Sequence, residues 1–236
     1  MTWPTAIGSA QALGALLRLE GVSKTYRDPT ETTVVFQDLD LELHRGEITS
    51  LQGPSGSGKS TIISLIAGLM VPDAGRVIFD GRDMAGLPDS ERSLLRATRI
   101  GTILQSGNLL PFLTPAENVA TAMRLAGKPR SAKDVDALLD QVDLANRANH
   151  LPRRLSGGEA QRAALAVSLA NAPDLLLADE AVGQLDRAAA TSVMSILNGI
   201  CRERGLAVLL VTHDEEVTAL GSRTVQLVEG RLEATS

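Results

Sequence analysis

Gly53-Pro54-Ser55-Gly56-Ser57-Gly58-Lys59-Ser60 is the stretch on which the reading of this chain turns. It fits the spacing G-x-x-x-x-G-K-[ST], in which glycines let successive backbone N–H groups turn inward around an anion, a lysine reaches the outer phosphates, and a hydroxyl faces Mg²⁺. Taken alone it also reads as a flexible Gly-Ser turn, but at average Gly and Lys usage a chance match in a chain this long is on the order of one in a hundred. Its flanks favour phosphate. Glu47 to Gln52 reads as a short strand and Ser60 to Met70 as an apolar helix ending near Pro72. The loop therefore delivers the chain into a helix N-terminus, whose dipole adds to the anion nest.

Three further stretches carry chemistry. Leu175 to Ala178 is an apolar run too short for a stable helix, and it ends in Asp179-Glu180. Neighbours on a strand point to opposite faces, so the two carboxylates take different tasks. Asp179 can hold Mg²⁺, directly or through water, while Glu180 can orient and deprotonate a water aimed at a γ-phosphorus. Without the Gly-rich loop, the pair would read as a solvated acidic strand end. Ala207 to Val211 is a second buried run, and Thr212-His213-Asp214 after it brings His213 to the same sheet edge; in isolation that residue reads as a surface histidine. Leu155-Ser156-Gly157-Gly158-Glu159-Ala160-Gln161-Arg162 precedes an Ala/Leu-rich helix. Ser156 with Glu159 three residues on is a capping box, and the two glycines make a second anion-binding helix end. A protein with two such ends can clamp one triphosphate between two copies of itself.

Around these motifs the composition is that of one globular unit. At 236 residues the chain amounts to about 1.6 average domains, and 44% apolar with 22% charged residues excludes disorder, collagen and coiled coil. A net charge of −5 lacks the basic footprint of a nucleic-acid binder, so no nucleic-acid partner is expected and any anion must be met locally. Aromatic residues make up only 2%, which calls for an aliphatic core. Cys201 is the single cysteine, so an intrachain disulfide and a cysteine-rich zinc site are both excluded. No apolar run approaches the roughly 18 residues of a membrane span. Residues 1–14 lack the pattern of a signal peptide and are expected to form a poorly ordered leader to a single domain over 15–236.

Leu17, Leu19 and Val22 lead into Tyr26, and Val34, Phe36, Leu39, Leu41 and Leu43 alternate with polar residues, which predicts half-buried antiparallel strands turned at Arg45-Gly46. From about 87 to 169 the pattern is mostly helical, broken at Pro111, Pro115, Pro129 and Pro152, and predicts an inserted helical subdomain. Ala188 to Arg204 is a helix between the two buried runs. Strand alternating with helix implies an α/β fold with a mostly parallel sheet.

From about Leu16 to Leu232 these motifs resemble the nucleotide-binding subunit of ABC transporters. The resemblance implies the ABC type of P-loop NTPase fold, with a mostly parallel core, an N-terminal antiparallel β-subdomain and the inserted helical subdomain. In it Gly53, Ser55, Gly56, Ser57, Gly58, Lys59, Ser60 and Thr61 correspond to the Walker A loop, Asp179 to the Walker B aspartate, Glu180 to the catalytic glutamate and His213 to the switch histidine. Leu155 to Glu159 correspond to the signature, with Ser156, Gly157 and Gly158 facing the nucleotide. Gln105 resembles the Q-loop glutamine that touches Mg²⁺, Asp186 the D-loop aspartate at a dimer seam, and Tyr26 the aromatic that stacks on adenine. It further implies ATP and Mg²⁺ as ligands and a head-to-tail dimer around two ATP. An integral membrane permease is implied as partner, docking near Gln105 to Thr114, with the chain at the cytoplasmic face of the inner membrane. Asn108 to Val119 and Arg147-Ala148-Asn149-His150 are most similar to the subgroup serving lipoprotein release, macrolide export and the FtsE-type cell-division regulators. Ala181, Val182, Gln184 and Val167 depart from that subgroup's usual residues. The other readings are an FtsE-like regulator signalling without transport and a soluble ATPase of this class acting on nucleic acid or ribosomes. The second of these usually carries two cassettes or long coiled-coil inserts. A phosphate-loop GTPase is disfavoured by the lack of an Asn-Lys-x-Asp stretch.

Overall fold

The computed structural model describes residues 14–28, 32–105, 108–127, 131–180 and 185–235. Ala181, Val182, Gln184, and the leader except its last residue, lie outside them. The strands are β1 (Leu17–Arg27), β2 (Thr32–Leu43), β3 (Ile48–Gln52), β4 (Ala74–Phe79), β5 (Arg82–Asp83), β6 (Ile100–Ile103), β7 (Leu175–Asp179), β8 (Ala207–Val211), β9 (Arg223–Val228) and β10 (Arg231–Thr235). The helices are α1 (Lys59–Ile66), α2 (Asp89–Arg99), α3 (Pro115–Leu125), α4 (Ala132–Gln141), α5 (Gly157–Leu169), α6 (Arg187–Arg204) and α7 (Glu215–Thr218). Among the described residues no helix is long and apolar enough to cross a membrane.

Four strands make an antiparallel sheet in the order β2-β1-β4-β5, and six make a second sheet in the order β10-β9-β3-β8-β7-β6. In the second, every pairing is parallel except β9 with β10. The period-two pattern of β2 slips between Phe36 and Leu39, where Asp38 takes a φ of 53° and β2 gains a residue relative to β1. This bulge keeps both flanking apolar sets on the core face.

Burial on the parallel strands follows residue parity. Leu175 and Leu177 of β7, with Ala207, Leu209 and Val211 of β8, pack with α1 and the antiparallel sheet. Leu176 and Ala178, with Val208 and Leu210, pack with α3, α4, α5 and α6. β7 and β8 are thus covered on both faces, as parallel strands require, and they read as short apolar runs. Phe36 and Phe79 are core residues, each 1% exposed, whereas Phe112 is 70% exposed.

The predicted helical stretch 87–169 contains α2 to α5 but also β6, which pairs with β7 inside the core sheet. Four residues are too few to display a period, and β6 follows α2 without a break. Gly101 shows why it lies there: a Cβ at this position would stand 2.4 Å from the Ser168 carbonyl oxygen of α5, so only glycine lets helix and strand come this close. Helix α1 ends at Ile66, short of the predicted Met70, because Gly68 turns the chain left-handed at φ 63°.

One ionic cluster ties the layers together at the end of the sheet where β7 and β8 begin. Asp174 accepts from Arg45 Nη1 at 2.8 Å and from Arg99 Nε at 2.6 Å, and Arg99 also reaches Asp80 at 2.8 Å. Burial pushes the Asp174 carboxyl up, but the two guanidiniums more than offset this and hold it below its ordinary range. Since the folded pKa is depressed, the stabilisation is complete above about pH 4, the unfolded value, and is lost as pH falls through the folded one. Asp174→Asn should lower the unfolding free energy at pH 7 by roughly 1–2 kcal/mol. In urea titrations it should also flatten the loss of stability on acidification relative to the parent chain.

Candidate functional site

The Gly-rich loop leaves β3 and enters α1 through backbone that other residues rarely adopt. Gly53, Gly56 and Gly58 have φ of 153°, 79° and 105°. A Cβ on Gly58 would lie 2.5 Å from Val35 Cγ1, so the loop is braced by the antiparallel sheet. Lys59 is 8% exposed, and its Nζ donates to the carbonyls of Gly53 at 2.7 Å and Pro54 at 2.8 Å. Burial lowers the pKa of this ammonium, an effect the nearby Glu180 and Asp179 only partly offset. Ser57 Oγ is buried with no hydrogen-bond partner, although a buried hydroxyl is ordinarily satisfied. An unsatisfied buried hydroxyl in this loop fits a site where a polar ligand completes it.

At the carboxyl end of the sheet the predicted acid, base and histidine converge. Asp179 ends β7 with its Oδ2 3.5 Å from Ser60 Oγ in the first turn of α1. Burial and then the charge of Glu180 raise the Asp179 pKa, outweighing Ser60, Lys59 and His213. Glu180 leaves the strand at φ 49°, with its N–H on the Val211 carbonyl at 2.9 Å. Both of its carboxylate oxygens are engaged. Gln105 Nε2 donates to Oε2 at 2.8 Å, and His213 Nε2 stands 2.8 Å from Oε1. Asp214, beside His213, caps α7 by accepting from the Glu216 and Val217 amides, which fixes the segment carrying the histidine.

Tyr26, at the end of β1, is 45% exposed and its hydroxyl lies 3.3 Å from Thr61 Oγ1 and 3.6 Å from Met70 Sδ. The ring therefore sits beside the first turn of α1 and is partly open to solvent. Ser156, Gly157, Gly158 and Asp186 form a second group. Ser156 caps α5 and Asp186 caps α6, and these two helix starts pack side by side. A Cβ on Gly157 would meet Leu185 at 3.8 Å, and one on Gly158 would meet Ala189 at 3.0 Å. Among the described residues no hydrogen bond joins this group to the Lys59–Glu180 cluster.

Several contributors are not readable as such from the sequence. Asn108 clamps the Leu104 backbone at both its N–H and its carbonyl, at 2.7 and 2.6 Å. Asn118, 4% exposed, accepts from the Leu110 N–H at 2.8 Å and donates to the carbonyls of Leu113 and Thr114, each at 3.0 Å. These asparagines hold a loop that presents Leu104, Leu110 and Phe112 to solvent. Arg147 bonds Glu159 of the α5 capping box at 2.7 Å across twelve residues. The stretches 108–119 and 147–150 stand out in the sequence by resemblance, but the groups these side chains bond do not.

Comparison with known proteins agrees with this layout. A profile of the ABC transporter family matches residues 36–183. Over 220 residues the chain is 41% identical to the lipoprotein-releasing system ATP-binding protein LolD 2 of Caulobacter vibrioides, spanning 92% of this chain and 96% of that one. It is 43% identical over 218 residues to LolD of Gluconobacter oxydans, spanning 92% and 94%. In structure it is similar to the ATP-binding cassette MJ0796 in a dimeric post-hydrolysis state bound to ADP and Pi, with a TM-score of 0.83 and 35% identity over 92% of this chain and 98% of that one. With the profile spanning well over half its length, and with a strand–loop–helix set beside a strand that ends in paired carboxylates, this chain belongs to the ABC transporter family as one of its ATP-hydrolysing, ATP-binding cassettes.

Proposed function

We propose that the chain turns over MgATP at the Lys59–Glu180 cluster as a head-to-tail dimer and drives a membrane permease engaged in lipoprotein release. The observation that carries the chemistry is the Glu180 carboxylate, oriented by Gln105 and His213 and set beside Asp179 and the start of α1. In this reading the amides of residues 53–61 and Lys59 bind the β- and γ-phosphates, and the Tyr26 ring stacks on adenine. Glu180 accepts a proton from the attacking water, and His213 keeps the carboxylate aimed. The Ser156–Gly158 end of a second copy closes on the γ-phosphate, with Asp186 beside it at the seam.

Among the described residues no group of three His, Cys, Asp or Glu side chains is placed to hold a metal by itself. That fits magnesium, which is usually held by one or two protein groups together with substrate phosphates and waters. Ser60 and Asp179 would hold it, with Gln105 nearby; bound there it would neutralise charge on the phosphates. Support for the cargo class comes from relatives named for lipoprotein release that match over nine-tenths of both chains. For the docking face, the support is the exposed Leu104, Leu110 and Phe112 on a loop fixed by Asn108 and Asn118. The membrane partner would hold the chain at the cytoplasmic face of the inner membrane.

Glu180→Gln should keep ATP binding and lose steady turnover by about 10²–10⁴-fold, the usual worth of a general base, leaving an ATP-bound dimer visible by size-exclusion chromatography. Unchanged turnover would remove Glu180 as base. Lys59→Ala should weaken triphosphate binding about tenfold or more, measured by calorimetry. Tyr26→Ala should weaken it by roughly 1–3 kcal/mol, with Tyr26→Phe nearly neutral; equal losses would assign the effect to the hydroxyl on Thr61. Purification from detergent-solubilised native membranes should recover an integral membrane protein, and recovery with ribosomes or DNA alone would refute the partner class.

A further inference from the structure

Helix α5 provides the end that the proposed function gives to a partner copy's triphosphate, yet its first turn already carries a carboxylate. Glu159 Oε2 accepts the Ser156 N–H at 2.8 Å, and the Ser156 hydroxyl accepts the Glu159 N–H at 3.2 Å. A negative side chain here stabilises the helix but spends the positive field that would draw in an anion, and it repels a phosphate directly. Glu159 forms one ion pair among the described residues, with Arg147 Nε at 2.7 Å from Oε1. That pair, followed by the Ser156 N–H, holds the carboxyl down at about 2, so it stays ionised at any working pH. Arg162, which approaches Gly158, makes no ion pair with it.

The two neighbouring helices serve as internal controls. At the start of α3 the Thr114 hydroxyl donates to Glu117 at 3.0 Å, and at the start of α4 the Ser131 hydroxyl donates to Asp134 at 3.1 Å. Neither Glu117 nor Asp134 has an arginine partner among the described residues. In α5 Arg147 takes the other oxygen, Oε1, and outweighs each Ser156 contact in holding the carboxylate down. Arg147 is itself anchored, because the next residue, Ala148, accepts the Ala116 N–H of α3 at 3.1 Å.

From this geometry we infer that Arg147 is a positioning residue of ATP turnover, cancelling the charge of Glu159 at the helix end that faces the partner copy's γ-phosphate. The inference rests on the head-to-tail reading and adds to it the device that makes a capped helix end attractive to an anion.

A double-mutant cycle on the full-length chain tests it, reading ATP turnover together with ATP-driven dimerisation in the Glu180→Gln background. Arg147→Ala should lower kcat/KM and raise the ATP concentration for dimerisation by about tenfold, while nucleotide affinity of the monomer stays within error. Glu159→Gln, which removes the charge that Arg147 cancels, should lose no more than about threefold. Combined with Arg147→Ala it should restore most of the loss, and thermal melts should show all three variants folded. A purely structural pair gives equal losses in both single variants and no rescue in the double, and that result overturns the inference, as does an Arg147→Ala protein that dimerises like the parent. Should Arg147→Ala fold poorly, Arg147→Gln in its place keeps the stem and must show the same rescue. If Glu180→Gln binds ATP without dimerising, the head-to-tail reading fails and the inference falls with it.

Discussion

Burial of β7 on both faces is the constraint from which the rest of this molecule follows. Leu175 and Leu177 are fixed against α1 and the antiparallel sheet, and Leu176 and Ala178 against the helices on the other side. A slip of one residue would exchange the two sets, and both faces are closed to water, so the register is determined. Asp179 continues the first set and emerges beside Ser60. Glu180, one residue later, turns out of the strand and meets Gln105 from the end of β6 and His213 from the end of β8. Those two neighbours are in reach because β6, β7 and β8 run parallel and finish at one level. The carboxyl ends of a parallel sheet are where such folds concentrate their chemistry.

Charge at that edge is arranged in opposition. A buried ammonium faces two carboxylates, and Asp179 is strained electrostatically by its neighbour as well as by its surroundings. Glu180 is held by Gln105 and His213 rather than by an arginine. Asp174, at the other end of β7, sits between two guanidiniums that hold it ionised. The same strand therefore follows a doubly paired carboxylate at its start and leads into two adjacent carboxylates at its finish.

What the sequence makes legible is whatever backbone geometry dictates by residue type. Gly53 and Gly58 must be glycine because of their φ and because Leu227 and Val35 crowd them, so the loop announces itself. β7 and β8 announce themselves as apolar runs bounded by charge. β6 does not, because its four residues owe their place to Ser168 pressing on Gly101 and to pairing with β7, both remote in sequence. The terminal hairpin of β9 and β10 is equally silent: Arg223, Gln226 and Arg231 interrupt its pattern, and it is held by pairing to β3. Arg147 with Glu159, and Asn118 with the 110–114 backbone, are legible as residues but not as pairs, since either polar group alone reads as surface.

The three capping boxes at Thr114, Ser131 and Ser156 also bear on how the chain finds its fold. β6 and β7 are neighbours in the sheet yet are separated by about 70 residues, so their pairing closes one of the longer loops in the molecule. Contacts that span such a distance are entropically late unless the intervening chain is already shortened. Helices whose first N–H groups are satisfied by their own side chains cost less to form, and any helix formed within the loop shortens the chain that the pairing must close. The boxes thus bear on the cost of joining the two strands on either side of the site as well as on the finished helices.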